Sequence, residues 1–404
     1  MTASAPRAVL TATATDFRVQ SWEPIDFTLR YVDGVFAPEN PQVADLYRDR
    51  GRCLAIVDET VHGLYGDRMR AYFDHHRIPV TIVALRIAET AKSLRTLERI
   101  VDEFAAFGLL RTEPVLVVGG GLTTDVTGFA CASYKRGTPY VRIPTTLIGL
   151  IDASVAMKVA VNHGKHKNRL GAFHASREVL LDFGFLATLP QPQVRNGLAE
   201  MVKIATVANA ELFGVLEKYG EELLTTGFGH RDGTPELRET AHHAGYEAIR
   251  TMLELEHANL HELDLDRVIA FGHTWSPTLE LAPDTPMLHG HAISIDMAFS
   301  ATLAQRRGHV SAGERDRIHR LFSGLGLAVD SPLLTAELLT RATDSIVQTR
   351  GGLLRAAVPD PIGACRFLND VTTTELADTL AAHKDLVTDL PTAVEGVAMW
   401  SRPA

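Results

Sequence analysis

Three consecutive glycines, Gly119 to Gly121, constrain the fold of this chain more than any other feature. They end the apolar run PVLVVGGG (114–121) and precede a stretch with helical spacing, within VVGGGLTTDVTGFACASYKRG. Glycine lets the main chain turn tightly and approach a ligand closely, and the start of a helix attracts anions. A strand, a glycine turn and a helix in this order predict a phosphate-binding edge of a parallel α/β sheet.

Strand-like and helical segments alternate through the first half of the chain. RCLAIV (52–57) and VTIVAL (80–85) are typical of short buried strands, and residues 17–32 alternate between apolar and polar side chains. Residues 92–107 place apolar side chains at helical spacing. This alternation predicts an α/β domain over residues 1–190.

The second half has a different pattern. Beyond LPQPQ (189–193), the sequence contains long amphipathic stretches and few strand signals, for example at 195–217, 235–256 and 289–306. We therefore expect a mostly α-helical second domain over residues 191–404.

Composition excludes several classes of protein and site. A formal net charge of −9 argues against a nucleic-acid surface, which would be basic. The three cysteines lie far apart, so neither a disulfide framework nor a thiolate zinc site is indicated. No apolar run approaches the roughly 18 residues of a membrane span, and the first residues lack the apolar core of a secretory signal. We expect a cytoplasmic protein with no membrane partner.

The glycine turn alone is a weak signal for a nucleotide, because such turns also occur where close packing is the only requirement. Asp58 and Glu59 follow the strand at 52–57, where an acid can bind ribose hydroxyls, and residues 144–162 add a second polar loop. Thr123 and Asp125, on the turn after the glycines, could position the same ligand. The spacing departs from G-x-G-x-x-G, so the pattern is not a standard Rossmann fingerprint.

A cluster of cations interrupts the otherwise acidic sequence at 152–172, DASVAMKVAVNHGKHKNRLGA. Four cations and two amides lie close together in this stretch: Lys158, Lys165, Lys167, Arg169, Asn162 and Asn168. Any single lysine here is more simply explained as a solvated surface residue. The whole pattern, flanked by apolar runs, favours an anion pocket that offers charge-assisted hydrogen bonds.

The candidate metal ligands lie in the second half. Glu200 and Lys203 share a helical face in NGLAEMVKIA (196–205), His273 follows an apolar run and a glycine, and His289 begins an apolar helix. One carboxylate and two imidazoles are typical of a catalytic zinc with an open coordination position. Spacing alone does not select these residues, since the chain has 17 histidines and no HExxH motif.

Taken in order, the motifs resemble the sugar phosphate cyclases of the dehydroquinate synthase superfamily over about residues 50–360. The motifs are GGGLTTDVTGF, YKRG, PTTLIGLIDASVAMK, GKHKNRLGAFH, TLPQPQVRNGLAEMVK, FGHTWSP and LHGHAISIDM. The resemblance implies an NAD-binding α/β domain, a helical metal-binding domain, an active site in the cleft between them, and a homodimer. It also implies zinc, with cobalt as a substitute.

The resemblance assigns roles to individual residues. Glu200, His273 and His289 would hold the metal, while Asp152, Lys158 and Lys203, with Glu200, would line the reacting centre. Asn168 and Lys158 would receive the substrate phosphate, helped by Arg136 from the partner subunit. The residues implied to contact NAD are Asp58, Glu89, Lys92, Gly120, Gly121, Asp125, Thr145, Thr146, Lys167, Thr188 and Leu189.

Such an enzyme would cyclise its substrate without net redox change. NAD would oxidise a secondary alcohol polarised by the metal, phosphate would leave by elimination, and the returned hydride and an intramolecular aldol step would close the ring. Lys158 and the substrate phosphate are candidate proton carriers.

Four positions depart from dehydroquinate synthase, where Lys, Arg, Asn and His surround the substrate carboxylate and ring. Here the matching residues are Met252, Asp266, Ala270 and Pro277. Without those cations a carboxylate would stay buried and unpaired, at a cost of several kcal/mol. A neutral polyol phosphate fits better, and Asp266 could accept hydrogen bonds from its hydroxyls.

This pattern is similar to the 2-epi-5-epi-valiolone synthases, which cyclise sedoheptulose 7-phosphate for C7-cyclitol natural products such as antibiotics. That activity is the main prediction. Demethyl-4-deoxygadusol synthase and 2-epi-valiolone synthase use the same substrate and remain alternatives, and 3-dehydroquinate synthase ranks below them.

Two further interpretations come from other classes of protein. Metal-dependent alcohol dehydrogenases share the glycine turn and the metal site, but the cations at 158–169 and Arg136 count against them. A non-catalytic binding protein would not need all the metal and lysine positions filled. The roles of Arg350 and His291 stay open.

Overall fold

The computed structural model describes residues 8–164, 166–283 and 287–391. The first half of the chain is built around a six-stranded sheet. Its strands are β3 (Thr28–Tyr31), β4 (Cys53–Asp58), β5 (Val80–Leu85), β6 (Val115–Gly119), β7 (Tyr140–Pro144) and β10 (Glu178–Leu181). They lie in the order β3-β10-β7-β6-β4-β5, and every neighbouring pair is parallel. The predicted parallel α/β domain is confirmed.

Four helices and two hairpins accompany this sheet. The helices are α1 (Gln42–Tyr47), α2 (Glu59–His75), α3 (Leu94–Ala106) and α4 (Gly121–Ser133). The hairpins are β1 (Ala8–Ala12) with β2 (Phe17–Ser21), and β8 (Lys158–His163) with β9 (His166–Phe173). The apolar strands β6 and β7 are buried along their whole length, as a sheet covered on both faces requires.

The second half is mostly helical, as expected. Its helices are α5 (Gln191–Ala208), α6 (Ala210–Thr225), α7 (Pro235–Glu256), α8 (Ser276–Glu280), α9 (His289–Arg306), α10 (Ala312–Gly324), α11 (Ala336–Thr349) and α12 (Thr373–Val387). The sheet's last strand ends at Leu181 and α5 begins at Gln191, so the predicted boundary falls between the two. Helix α9 lies at the centre, with nearly all its side chains buried.

Two details differ from the sequence-based expectations. The stretch 195–217 forms two helices, because Asn209 leaves helical geometry at φ −148° and its side chain accepts a hydrogen bond from Leu212 N at the start of α6. The helical half also contains an antiparallel hairpin, β11 (Ala356–Pro359) with β12 (Cys365–Leu368). These strands are four residues long, too short to give a clear alternating pattern.

Hairpin β1–β2 stands apart from the core. Every residue of both strands is exposed, including Leu10 at 67%, Phe17 at 80% and Val19 at 71%. An isolated two-stranded hairpin is only marginally stable in water. Apolar side chains grouped on an exposed surface are typical of an interaction site.

Among the described residues, no helix has the length and the apolar character that a membrane span requires.

Candidate active site

Glu200, His273 and His289 converge in the helical half. Glu200 lies within α5, His289 is the first residue of α9, and His273 lies on the loop before α8. Glu200 Oε1 is 3.0 Å from His289 Nε2 and 3.8 Å from His273 Nε2. One potential ligand atom from each residue lies within 4.8 Å of the others. This geometry suits a single divalent cation with three protein ligands.

Hydrogen bonds orient both imidazoles toward Glu200. Nδ1 of His273 is 3.1 Å from the Phe271 carbonyl oxygen, and Nδ1 of His289 is 3.1 Å from Glu280 Oε2. Each acceptor fixes a proton on Nδ1 and leaves Nε2 toward Glu200. A carboxylate or carbonyl behind a histidine is the usual arrangement around a protein-bound metal.

Burial and neighbouring charges set the protonation of each residue in this group. Burial lowers the pKa of His273 to about 3, with Lys203 acting in the same direction, so this imidazole is neutral and can donate a lone pair. Burial also lowers the pKa of His289, but Glu280 and Glu200 outweigh it and raise that pKa to about 9. Burial alone would raise the pKa of Glu200, yet Lys203 and the two histidines hold it well below the usual range.

Two buried groups hold the loop that carries His273. Asp296, on α9, accepts hydrogen bonds from the main-chain nitrogens of Thr274, Trp275 and Ser276 at 2.6–2.9 Å. Arg350 donates to the main-chain oxygen of His273 at 2.9 Å, and also to those of Leu354 and Arg355. The guanidinium group of Arg350 therefore binds main-chain carbonyl groups. Burial and the nearby Arg267 lower its pKa to about 10.

Sequence reasoning missed Glu280 and Asp296. An acid inside the apolar run HAISIDMAFS was a usable signal for Asp296, because a buried carboxylate requires several donors. Glu280 had no comparable signal, since its partners His289 and Lys167 come from distant parts of the chain. The sequence left the role of His291 open. Its Nδ1 accepts a hydrogen bond from Ala328 N, so it connects the start of α9 to the loop after α10.

Lysines and acids predicted for the reacting centre lie beside the triad. Lys203 Nζ is 2.5 Å from Glu200 Oε2 and 3.7 Å from Asp152 Oδ1. Burial, reinforced by Glu200, raises the pKa of Asp152 to about 6. Lys158 lies 2.8 Å from Glu262 and 3.2 Å from Glu256. Although burial opposes it, these two acids raise the pKa of Lys158, so the ammonium group is retained at neutral pH.

The predicted cofactor residues lie around the carboxyl end of the parallel sheet. Gly120 precedes α4 with no side-chain cap, and Thr145 and Thr146 follow β7. A Cβ at Gly120 would stand 3.0 Å from Thr146 Cγ2, so a larger residue would crowd the turn. Asp58, at the end of β4, caps α2 through Thr60 N and Val61 N. Thr188 is hydrogen-bonded to Tyr65 at 2.8 Å, and Leu189 is half-buried beside it.

Hairpin β8–β9 and the segment before α3 form a connected polar network. Lys92 contacts Asp125 at 2.7 Å and Asn168 at 2.6 Å. Lys167 lies 2.6 Å from Glu280 and 3.6 Å from Glu89. Asn168 therefore lies beside Lys92, whereas Lys158 lies beside Glu256 and Glu262. Lys165 lies outside the described residues.

The four positions that differ from dehydroquinate synthase have different environments. Ala270 is buried and Pro277 is half-buried, on either side of the His273 loop. Met252 is packed in the apolar core. Asp266 is exposed and forms an ion pair with Arg355, so that carboxylate already has a cationic partner. Arg136 lies just beyond the end of α4, is exposed and has a left-handed φ of 64°.

Comparisons with known proteins find relatives that match over most of the chain. Residues 82–196 match the model of the 3-dehydroquinate synthase N-terminal domain, and residues 197–345 match that of its C-terminal domain. The chain is 60% identical to a demethyl-4-deoxygadusol synthase of Trichormus variabilis, covering 98% of this chain and 96% of that one. It is 43% identical to a 2-epi-5-epi-valiolone synthase of an Actinoplanes species, covering 91% and 93% of the respective chains.

A solved structure shows the same fold. The 2-epi-5-epi-valiolone synthase ValA of Streptomyces hygroscopicus subsp. jinggangensis, with NAD+ and Zn2+ bound, is 39% identical. It superimposes with a TM-score of 0.86, over 91% of this chain and 99% of that one.

Proposed function

The chain belongs to the 3-dehydroquinate synthase family, and from this premise we propose that it is a sugar phosphate cyclase that converts sedoheptulose 7-phosphate to demethyl-4-deoxygadusol. The cyclase activity rests on the convergence of Glu200, His273 and His289 beside the buried Lys203 and the half-buried Asp152. The choice of product rests on the 60% identity to a demethyl-4-deoxygadusol synthase, against 43% for a 2-epi-5-epi-valiolone synthase.

The triad fits a zinc ion by the chemistry of its donors. His273 is neutral and directs Nε2 at the carboxylate, and Glu200 is ionised. At His289 the cation would replace the proton on Nε2, while Nδ1 keeps its bond to Glu280. Two imidazole nitrogens and one carboxylate oxygen suit zinc, and cobalt accepts the same ligands.

The turn after β6 fits NAD. The first main-chain nitrogens of α4 have no side-chain cap, and Gly120 leaves space beside Thr146 that a side chain would fill. A pyrophosphate is stabilised at such a helix start. Lys167 and Lys92 would add positive charge, and Asp58, Glu89, Asp125, Thr188 and Leu189 remain predicted contacts.

Bound NAD would supply a transient oxidation, and the metal would polarise the substrate oxygens. The chain's own residues position the substrate and manage protons. Lys158 is cationic and half-exposed, so it can pair with the substrate phosphate once it leaves Glu262. Asp152, with its pKa raised to about 6, can hold or release a proton near neutral pH. Lys203 keeps Glu200 ionised at the centre.

The wall around His273 supports a substrate without a carboxylate. Ala270 and Pro277 offer no charge, and Arg350 is committed to three main-chain oxygens. A 2-keto acid phosphate would therefore bury an unpaired carboxylate, whereas a polyol phosphate would not. Asp266, engaged by Arg355, would have to exchange partners to bind a substrate hydroxyl.

We also propose a homodimer in which Arg136 reaches the partner's substrate phosphate. Arg136 is exposed, as this role requires. The apolar hairpin β1–β2 is exposed in the single chain, and a second copy would cover it.

Product analysis tests the proposal. The purified protein is incubated with sedoheptulose 7-phosphate, NAD+ and ZnCl2, phosphate release is followed, and the product is identified by NMR. We expect phosphate release without accumulation of NADH, and demethyl-4-deoxygadusol as the product. Formation of 2-epi-5-epi-valiolone would establish the second candidate, which the 39% identity to ValA supports. Stoichiometric NADH formation would contradict the cyclase assignment, and turnover only of a 2-keto acid phosphate would contradict the proposed substrate.

A further inference from the structure

We propose that Glu280 couples metal binding to cofactor binding, because its single carboxylate bridges a metal ligand and a cofactor-side lysine. Oε2 lies 3.1 Å from His289 Nδ1, and Oε1 lies 2.6 Å from Lys167 Nζ. Glu280 is the last residue of α8 and is only 4% exposed. This inference rests on the proposed function, in which His289 binds zinc and Lys167 contacts NAD.

The bridge connects the two halves of the molecule. Glu280 and His289 belong to the helical half, whereas Lys167 lies on β9. Lys167 also contacts Glu89, whose carboxylate accepts a hydrogen bond from Asn162 at 2.8 Å. Asn162 in turn accepts one from Asn168 N at 2.9 Å. A continuous series of polar contacts therefore runs from the metal ligands to the predicted cofactor residues.

Sharing one carboxylate makes the two partners interdependent. The negative charge of the Glu280 carboxylate is shared between the Lys167 ammonium group and the Nδ1 proton of His289. When Lys167 binds a cofactor phosphate instead, the negative charge of the Glu280 carboxylate acts on the Nδ1 proton of His289 alone. The imidazole then becomes a stronger metal ligand. By linkage, a bound metal strengthens NAD binding by the same factor.

A second ion-pair group provides a matched control. Glu256, near the end of α7, pairs with Lys158 on β8, so it also connects the β8–β9 hairpin to the helical half. Glu256 is buried like Glu280, and it pairs with a lysine rather than with a metal ligand. Glu256→Gln removes a comparable charge from a comparable position without touching His289.

The experiment measures the dissociation constant of NAD+ by calorimetry on chelator-treated full-length protein, with and without ZnCl2. In the wild type we expect zinc to tighten NAD+ binding by about 5- to 10-fold, at the low end of usual coupling. Glu280→Gln should reduce this factor to below about 2-fold and weaken zinc binding by about 10- to 100-fold. Glu256→Gln should retain the wild-type factor. Circular dichroism verifies that each variant is folded.

Lys167→Met tests the bridge from its other end. It should abolish the coupling and, because Glu280 is then left to His289 alone, raise zinc affinity in the absence of NAD+ by about 5- to 10-fold. Unchanged coupling in both Glu280→Gln and Lys167→Met, or no coupling in the wild type, would overturn the inference. Failure of the wild type to bind zinc or NAD+ at all would instead refute the proposed function. These outcomes separate the two claims.

Discussion

Oε1 of Glu200 lies 3.0 Å from Nε2 of His289, although 89 residues separate the two in the sequence. Glu200 is 1% exposed, so its carboxylate is almost removed from solvent. A buried carboxylate is costly unless cations and donors surround it. Lys203 provides one such partner at 2.5 Å, and the two imidazoles face it from the other side. A carboxylate and two imidazoles grouped in this way could hold a divalent cation, as we propose.

Glu200→Gln should eliminate the metal site. The amide has the same shape but no charge, and its nitrogen would face imidazole and ammonium donors. We expect zinc affinity to fall by more than about 100-fold, beyond the loss typical of a supporting residue, and phosphate release to stop. Metal content after dialysis, measured by mass spectrometry, checks the result. Glu247→Gln, on α7 and paired with Arg250, is the control. Full metal content in the Glu200 variant would contradict the assignment.

The sequence predicted the order and type of most elements because their hydrophobic periodicity is strong. It predicted α7 and α9 to the residue, as 235–256 and 289–306. It did not predict the end of α5, because that depends on Asn209 preferring to cap α6. The family pattern identified the convergence of Glu200, His273 and His289. The supporting contacts of Glu280 and Asp296 could not be predicted, since they depend on which distant side chains the fold brings within hydrogen-bonding distance.

Asp296→Asn should loosen the His273 loop. The carboxylate accepts three main-chain hydrogen bonds there, and burial raises its pKa although these donors act to lower it. The asparagine side-chain nitrogen is itself a donor, so where it faces a main-chain N–H group no hydrogen bond forms. We expect a loss of about 1–3 kcal/mol in the free energy of unfolding. Zinc affinity should fall as well, because His273 loses its support. Urea unfolding with bound zinc removed separates the two effects. An unchanged unfolding curve would count against this role.

Lys158→Met should impair the reaction far more than it impairs cofactor binding. The ammonium group is held by Glu256 and Glu262 and is half-exposed, and in our proposal it pairs with the substrate phosphate. We expect kcat for phosphate release to fall by about 10²- to 10⁴-fold, the usual effect of losing a proton carrier. The dissociation constant of NAD+ should change by less than about 3-fold. Lys384→Met, which removes an ion pair with Asp330, is the control. A Lys158 variant with normal kcat would exclude the lysine from the chemistry.

Charges introduced on hairpin β1–β2 should dissociate the proposed dimer. Phe17 and Val19 are 80% and 71% exposed on β2, and burying them against a second copy would contribute roughly 1.5–3 kcal/mol for each large side chain. Replacing both with glutamate should shift the mass measured by light scattering from dimer to monomer. Leu263→Glu, at an 87% exposed loop position, should leave the mass unchanged. A wild-type protein that is monomeric at micromolar concentration would refute the dimer.

Acid should destabilise the fold through His383. This side chain lies on α12 and is fully buried, with Nδ1 2.8 Å from Thr302 Oγ1 and Nε2 2.9 Å from the Val329 oxygen. Burial, reinforced by His319, lowers the pKa of His383 from 6.5 to about 4. The folded state therefore resists a proton that the unfolded chain accepts. The contribution of neutral His383 to the free energy of unfolding is complete above pH 6.5. It declines as the pH falls toward 4, by about 3 kcal/mol in all.

His383→Leu removes this titration. At pH 7 we expect the variant to lose about 1–3 kcal/mol, because Thr302 and the Val329 carbonyl lose a partner. Between pH 6.5 and 4, however, its free energy of unfolding should decline less steeply than that of the wild type. Urea unfolding at half-unit pH intervals gives both slopes. His166→Gln, at an exposed position on β9, should reproduce the wild-type slope. Equal slopes for wild type and His383→Leu would show that another buried group governs acid unfolding.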